Sequence, residues 1–129
     1  MSEAKQASVD ITLYGIPNCD TVRKARDWLA EHDVAYRFHD FKKAGASAEL
    51  LASWTDATSW ELLVNRRGTT WRALSDARRA AVLDADSAIA LMSESPSVIK
   101  RPVLVVPGEV HVGFSPDMYA QIFGLPHTS

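Results

Sequence analysis

Cysteine is nearly absent from this 129-residue chain: Cys19 stands alone, so no internal disulfide can form and nothing marks a secreted, disulfide-stapled scaffold. Four histidines (His32, His39, His111 and His127) share no metal-ligand spacing with it, and no metal is expected. Long apolar runs are also missing. Ala88–Met92 and Val103–Val106 are core-sized only, which leaves no candidate for a membrane span. The opening MSEAKQAS lacks the apolar centre of a signal peptide and has little to bury, so Met1–Ser8 is expected to fray. A basic surplus is lacking too: 14 basic against 16 acidic side chains give a net charge of −2. That argues against a general nucleic-acid binder while leaving room for a local cationic patch. Internal repeats and low-complexity tracts are not found. The expectation is a cytoplasmic, monomeric protein with neither membrane nor nucleic acid as partner.

What is present fits one domain spanning 1–129, with 47% apolar and 23% charged residues. The informative stretch is Asp10–Leu29, DITLYGIPNCDTVRKARDWL. Ile11, Leu13 and Tyr14 read as a short buried strand, which Gly15, Pro17 and Asn18 break. Val22, Ala25, Trp28 and Leu29 then recur at helical spacing. Asn18 is the expected N-cap, making Cys19 the first helical residue. A sulfur there faces free backbone N–H groups and the positive end of the helix dipole, which favours the nucleophilic thiolate. Most free cysteines are small buried hydrophobes, but placement at a strand-to-helix turn points to a reactive thiol. Asp20 works against this, because a neighbouring carboxylate repels a thiolate.

Further along, Val34–Phe41 alternates as a second strand, parallel to the first across a helical crossover, and Lys42–Ser47 reads as a loop. Several short helices follow between Ala48 and Pro96. Leu50, Leu51 and Trp54 share a face, Thr58 with Glu61 forms a capping box, and Asp76–Leu83 and Asp86–Met92 are helical. Strand character returns at Pro102–Val106, and Pro107-Gly108 turns it into an antiparallel partner at Val110–Phe114. Ser115-Pro116 opens a last helix that carries Met118, Ile122 and Phe123 inward and stops at Gly124, with Pro126 beyond. Trp60 and Trp71 are read as core, and His39 as a structural histidine.

GIPNCDT (15–21), YRFHDFK (36–42), NRRGTTWR (65–72) and IKRPVLV (99–105) occur in this order and together resemble the arsenate reductase-like family. That family includes glutaredoxin-coupled arsenate reductases, the Spx regulators and the YffB-type proteins, and the YffB-type branch is the best match. The resemblance implies an α/β, thioredoxin-like (glutaredoxin-like) core with a mixed four-stranded sheet, formed by 10–41 and 99–124. Residues 42–98 become an inserted all-helical subdomain. It also implies Cys19 as the catalytic cysteine, Arg67 (or Arg66, in the neighbouring register) and Arg101 as anion-binding residues, and Pro102 as the cis-proline of the fold. Arginine suits such a role, offering a permanent charge and a planar fork of donors.

Two departures narrow the function. Arsenate reductases carry a histidine four residues before the cysteine and a third arginine after the last strand; Gly15 and about Phe114 stand there. The regulators carry Cys-x-x-Cys, and Val22 occupies the second position. The expected activity is therefore that of a glutathione-dependent monothiol reductase. Cys19 attacks a disulfide or glutathionylated substrate, and glutathione, held by Arg67 and Arg101 near Asn18, serves as co-substrate with no bound cofactor. The alternatives are an arsenate reductase coupled to glutathione and glutaredoxin, and an Spx-like regulator that binds RNA polymerase.

Overall fold

A computed structural model describes residues 10–125. The expectations for Met1–Ser8, Pro126 and His127 lie outside these residues. Four strands form one mixed sheet: β1 (Thr12–Gly15), β2 (Arg37–Asp40), β3 (Val103–Val106) and β4 (Glu109–Val112), in the order β2-β1-β3-β4. β1 runs parallel to β2 and antiparallel to β3, and β3 pairs antiparallel with β4. This is the expected thioredoxin-like arrangement.

Because side chains alternate across a strand, β1 and β3 each serve two cores. Leu13 and Leu104 pack on one face with Ala25 and Leu29 of helix α1 (Asp20–Glu31), and with Tyr119 and Ala120 of the last helix. Val103 faces the other way, into a core that holds Leu51, Trp54, Leu91 and Met92 of the helical insert, with Tyr14 and Val105 packed against it. The insert therefore shares an apolar core with the sheet.

Its elements are α2 (Phe41–Ala44), α3 (Ala48–Ala57), α4 (Trp60–Leu63), α5 (Thr69–Arg72), α6 (Asp76–Ala80), α7 (Ala85–Glu94) and a 3-10 turn at Pro96–Val98. Each starts or stops where local hydrogen bonding dictates, and several boundaries differ from expectation. Lys42–Ser47 is partly helical: the Asp40 carboxylate accepts from the Lys42 N–H at 2.9 Å, buried Phe41 anchors the turn, and Gly45 ends it at φ +63°. Thr58 closes α3 by donating its N–H to the Trp54 carbonyl, so the cap of α4 is Ser59, whose hydroxyl accepts from the Glu61 N–H. Asp84 and Ser87 form the capping box of α7, and the two Ser87 donors hold the Asp84 carboxyl below its usual range. The insert also carries one extended contact, a bridge between Val64 and Ile99, in which the Asn65 N–H donates to the Val98 carbonyl and the Lys100 N–H to the Leu63 carbonyl.

The last helix, α8 (Pro116–Ile122), is capped by Ser115 as expected. Its fully buried face is Tyr119 with Ala120, while Met118, Ile122 and Phe123 flank them. Tyr119 meets Trp28 and Phe114 edge-on at 5.6 and 4.7 Å, and burial raises its phenol pKa.

Gly15 is set by packing. A Cβ there would lie 2.7 Å from a Val22 methyl, because α1 crosses the end of β1 closely. Gly15→Ala should cost about 1–3 kcal/mol by overpacking, and Trp54→Ala about 3–5 kcal/mol by leaving a cavity. Urea denaturation measures both. An unchanged midpoint for Gly15→Ala would contradict the close approach.

Candidate active site

Cys19 sits in the turn between β1 and α1, half-buried and unpaired as a thiol. Contrary to the N-cap expectation for Asn18, Cys19 is itself the N-cap. Its backbone is extended (φ −102°, ψ 126°) and its carbonyl accepts from the Arg23 N–H at 2.9 Å. Asn18 is exposed and lies one residue outside the helix. The physical reason is the chain path: Pro17-Asn18 stays in the turn and the helical hydrogen bonds begin one residue later. The cap position is favourable for chemistry, since an N-cap side chain is the group that approaches the free amides of the first turn. No side-chain hydrogen bond occupies that cap. Asp20 forms an ion pair with Arg23, which offsets the carboxylate beside the sulfur, although both partners are exposed and the pair is weak.

The Arg101-Pro102 bond is cis, and Pro102 is buried, its carbonyl accepting from the Gly113 N–H at 2.8 Å. Continuing the β1–β3 register one step past Tyr14↔Val103 and then another sets Arg101 opposite Ile16, where pairing has ended. Among the described residues, no backbone group pairs with the Arg101 N–H or C=O. Its guanidinium Nη1 donates to the Ser97 carbonyl at 3.0 Å, while Nε is buried with no acceptor among the described residues. A buried donor without a partner is costly, and an anionic ligand would satisfy it.

Arg101 lines a cavity of about 430 Å³ together with Ile16, Phe41, Lys42, Asn65 and Ser97, and the segment 68–70 closes it. Its lining holds two cations, Lys42 and Arg101, and no carboxylate. This cavity begins at Ile16, three residues before the thiol. The wall at Phe41 is fixed by aromatic packing: Tyr14 stacks near Phe41 and meets Trp54 edge-on at 4.8 Å. Burial raises the Tyr14 phenol pKa, with a smaller opposing effect from a hydrogen bond with Thr12. His39 fits its expected structural role, with Nε2 2.7 Å from the Gly45 carbonyl.

Arg67 and Arg66 do not line this cavity. Asn65 Oδ1 accepts from the Arg67 N–H at 3.1 Å, and a Cβ at Gly68 would meet Asn65 Nδ2 at 2.8 Å, so the loop is tight. Both arginines border an adjoining depression of about 200 Å³ with Lys100, and Asn65 belongs to both hollows. Arg66 lies over the rings of Trp60 and Trp71, at 5.6 and 6.0 Å, so its charge is held by cation–π contact. The structure thus brings Arg101 to the cavity, whereas Asn18, Cys19 and Pro102 do not line it and Arg67 lies next door. Lys42, Asn65 and Ser97 escaped the sequence reading. Lys42 and Asn65 lie inside the quoted motifs YRFHDFK and NRRGTTWR, whereas nothing local to Ser97 marked it.

Residues 14–122 match the ArsC family. The chain belongs to the ArsC family. A solved structure named YffB is 51% identical with a TM-score of 0.82, and the match covers 86% of this chain and 96% of that one. An uncharacterised Haemophilus influenzae protein is 39% identical, with 88% of this chain and 98% of that protein covered. The Spx global transcriptional regulator of Streptococcus agalactiae is 30% identical, with 83% and 78% covered. The ArsC-family chain is therefore arsenate reductase-like in sequence and fold. Among its described residues, no helix is long and apolar enough to cross a membrane.

The cavity should raise the reactivity of Cys19 toward anions. Alkylation by iodoacetate relative to neutral iodoacetamide should fall about fivefold in Arg101→Ala, a loss of about 1 kcal/mol. An unchanged ratio would mean that Arg101 does not act on the sulfur.

Proposed function

We propose that this ArsC-family protein is a glutathione-dependent thiol reductase of monothiol type. One observation carries the reading: the chain has a single cysteine, in the turn whose Ile16 lines a cavity with cations, Lys42 and Arg101, as its only charged groups. The position at which Cys-x-x-Cys proteins carry a resolving thiol is the buried Val22, so the second thiol must come from solution.

In the first step the Cys19 thiolate attacks the glutathione sulfur of a glutathionylated substrate. The Cys19–glutathione disulfide forms, the substrate–glutathione disulfide breaks, and the released substrate thiolate takes a proton from solvent. In the second step a free glutathione thiolate attacks that mixed disulfide. Cys19 leaves as thiolate, and oxidised glutathione departs. The sulfur of the free glutathione is oxidised by one electron and the substrate sulfur is reduced by one, while the transferred glutathione sulfur stays at the disulfide level throughout. The N-cap position of Cys19 favours the attacking, anionic state of its sulfur, since the free amides and the positive dipole end of α1 lie at that helix start.

Glutathione suits the cavity by chemistry. It carries two carboxylates, for which Lys42 and the guanidinium of Arg101 are the matching cations. The unpaired backbone of Arg101 can take the extended tripeptide as a sheet edge takes a strand. The reading requires a reducing, glutathione-rich compartment, which is the cytoplasm.

Arsenate reduction is disfavoured by the packing at Gly15. Where the arsenate reductases carry a histidine, a Val22 methyl fills the space of even a Cβ.

Cys19→Ser should abolish deglutathionylation while leaving the unfolding free energy from urea denaturation within about 0.5 kcal/mol of the parent. Retained turnover would contradict the mechanism. Arsenate should not accelerate glutathione oxidation by the wild-type protein; a rate comparable to that with a glutathionylated peptide would restore the arsenate reductase reading.

A further inference from the structure

The cavity and its neighbour form a continuous cationic track. Asn65 joins them, and together they hold Lys42, Arg66, Arg67, Lys100 and Arg101 against one carboxylate, Glu61. In a chain with 14 basic and 16 acidic residues and a net charge of −2, this concentration is not a sample of the average surface. None of the five cations forms an ion pair among the described residues. Arg66 is pre-positioned by two indole rings, and the Lys100 segment is pinned by its backbone bond to Leu63. Leu62, also in the adjoining depression, is 57% exposed, one of two large apolar side chains so exposed among the described residues.

We propose that the depression at Leu62, Arg66, Arg67 and Lys100 docks an acidic polypeptide: the segment of a protein substrate that flanks its glutathionylated cysteine. This rests on the thiol reductase reading and adds the class of substrate. Carboxylates of the segment pair with Arg66, Arg67 and Lys100, and an apolar side chain covers Leu62. The disulfide is then delivered across Asn65 toward the Arg101 cavity and Cys19. A polypeptide is favoured over a nucleic acid for two reasons. An exposed leucine among the lining residues has no use for a phosphate backbone, and Glu61 repels one. Against a peptide, Glu61 selects an uncharged or basic residue at one position.

The test is direct binding, read independently of turnover. A fluorescein-labelled, cysteine-free peptide rich in Asp and Glu with one central leucine is titrated against the full-length protein by anisotropy. Its Lys-substituted counterpart and a single-stranded DNA oligonucleotide of equal charge are run beside it. The acidic peptide is expected to bind, and to weaken about tenfold or more in Lys100→Glu combined with Leu62→Ser, and also with rising salt. The Lys peptide and the DNA are expected not to bind. No binding of the acidic peptide, binding unchanged in the double variant, or equal or tighter binding of the DNA overturns the proposal. Reduction of a small glutathionylated thiol is measured on the same samples. It should be unchanged in the double variant, and its absence from the wild type would count against the thiol chemistry, not against docking.

Discussion

Antiparallel pairing of β1 with β3 ends at Tyr14↔Val103, and the site depends on where it ends. Beyond that pair the two chains separate, one into the Ile16–Asn18 turn that leads to Cys19 and the other into the cis Arg101-Pro102 peptide. A single ladder therefore delivers a helix start and a guanidinium to the same end of the sheet. The ladder is held from both sides. Leu13 and Leu104 are locked against α1 and α8, while Tyr14 and Val103 face the insert. Moving the register by one residue would exchange these faces and lose both cores together, which is why the geometry at the end of the ladder is well specified.

The insert supplies what the sheet alone lacks. Its bridge of Val64 to Ile99 fastens the Asn65–Gly68 loop to the chain that enters Arg101, so the polar wall of the cavity and its cation are tied together. The thiol, the cations and the unpaired backbone come from separate parts of the chain. Cys19 follows β1, Lys42 follows β2, Asn65 lies in the insert, and Arg101 precedes β3. Such a site suits a charged, extended ligand better than a compact one, because its recognition groups are spread along an edge.

Much of this was legible in the residues. The switch from period two at Leu13 to helical spacing at Val22, Ala25 and Leu29 located the turn that carries the cysteine, and the two later strands were marked by Val103–Val106 and the Pro107-Gly108 turn. Caps were less legible. Asn18 and Thr58 each stand one residue before the true cap, and only tertiary placement decides among adjacent polar side chains. Lys42 was hidden because a four-residue helix has too few positions to show a period. Arg67 was drawn toward the thiol by motif likeness alone, whereas the tight Asn65–Gly68 turn sends it to the neighbouring hollow. The cis state of Pro102 followed from the resemblance and not from any local pattern.

The central claim is that Cys19 and the Arg101 edge form one site for an external thiol. The most direct measurement is amide NMR of the protein carrying glutathione as a mixed disulfide on Cys19, compared with the reduced protein. The largest chemical-shift changes, apart from those at Cys19 and its neighbours in sequence, are predicted at Ile16, Lys42 and Arg101, with slowed exchange of the Arg101 amide. Changes confined to residues 17–23, with the Arg101 amide untouched, would contradict the account.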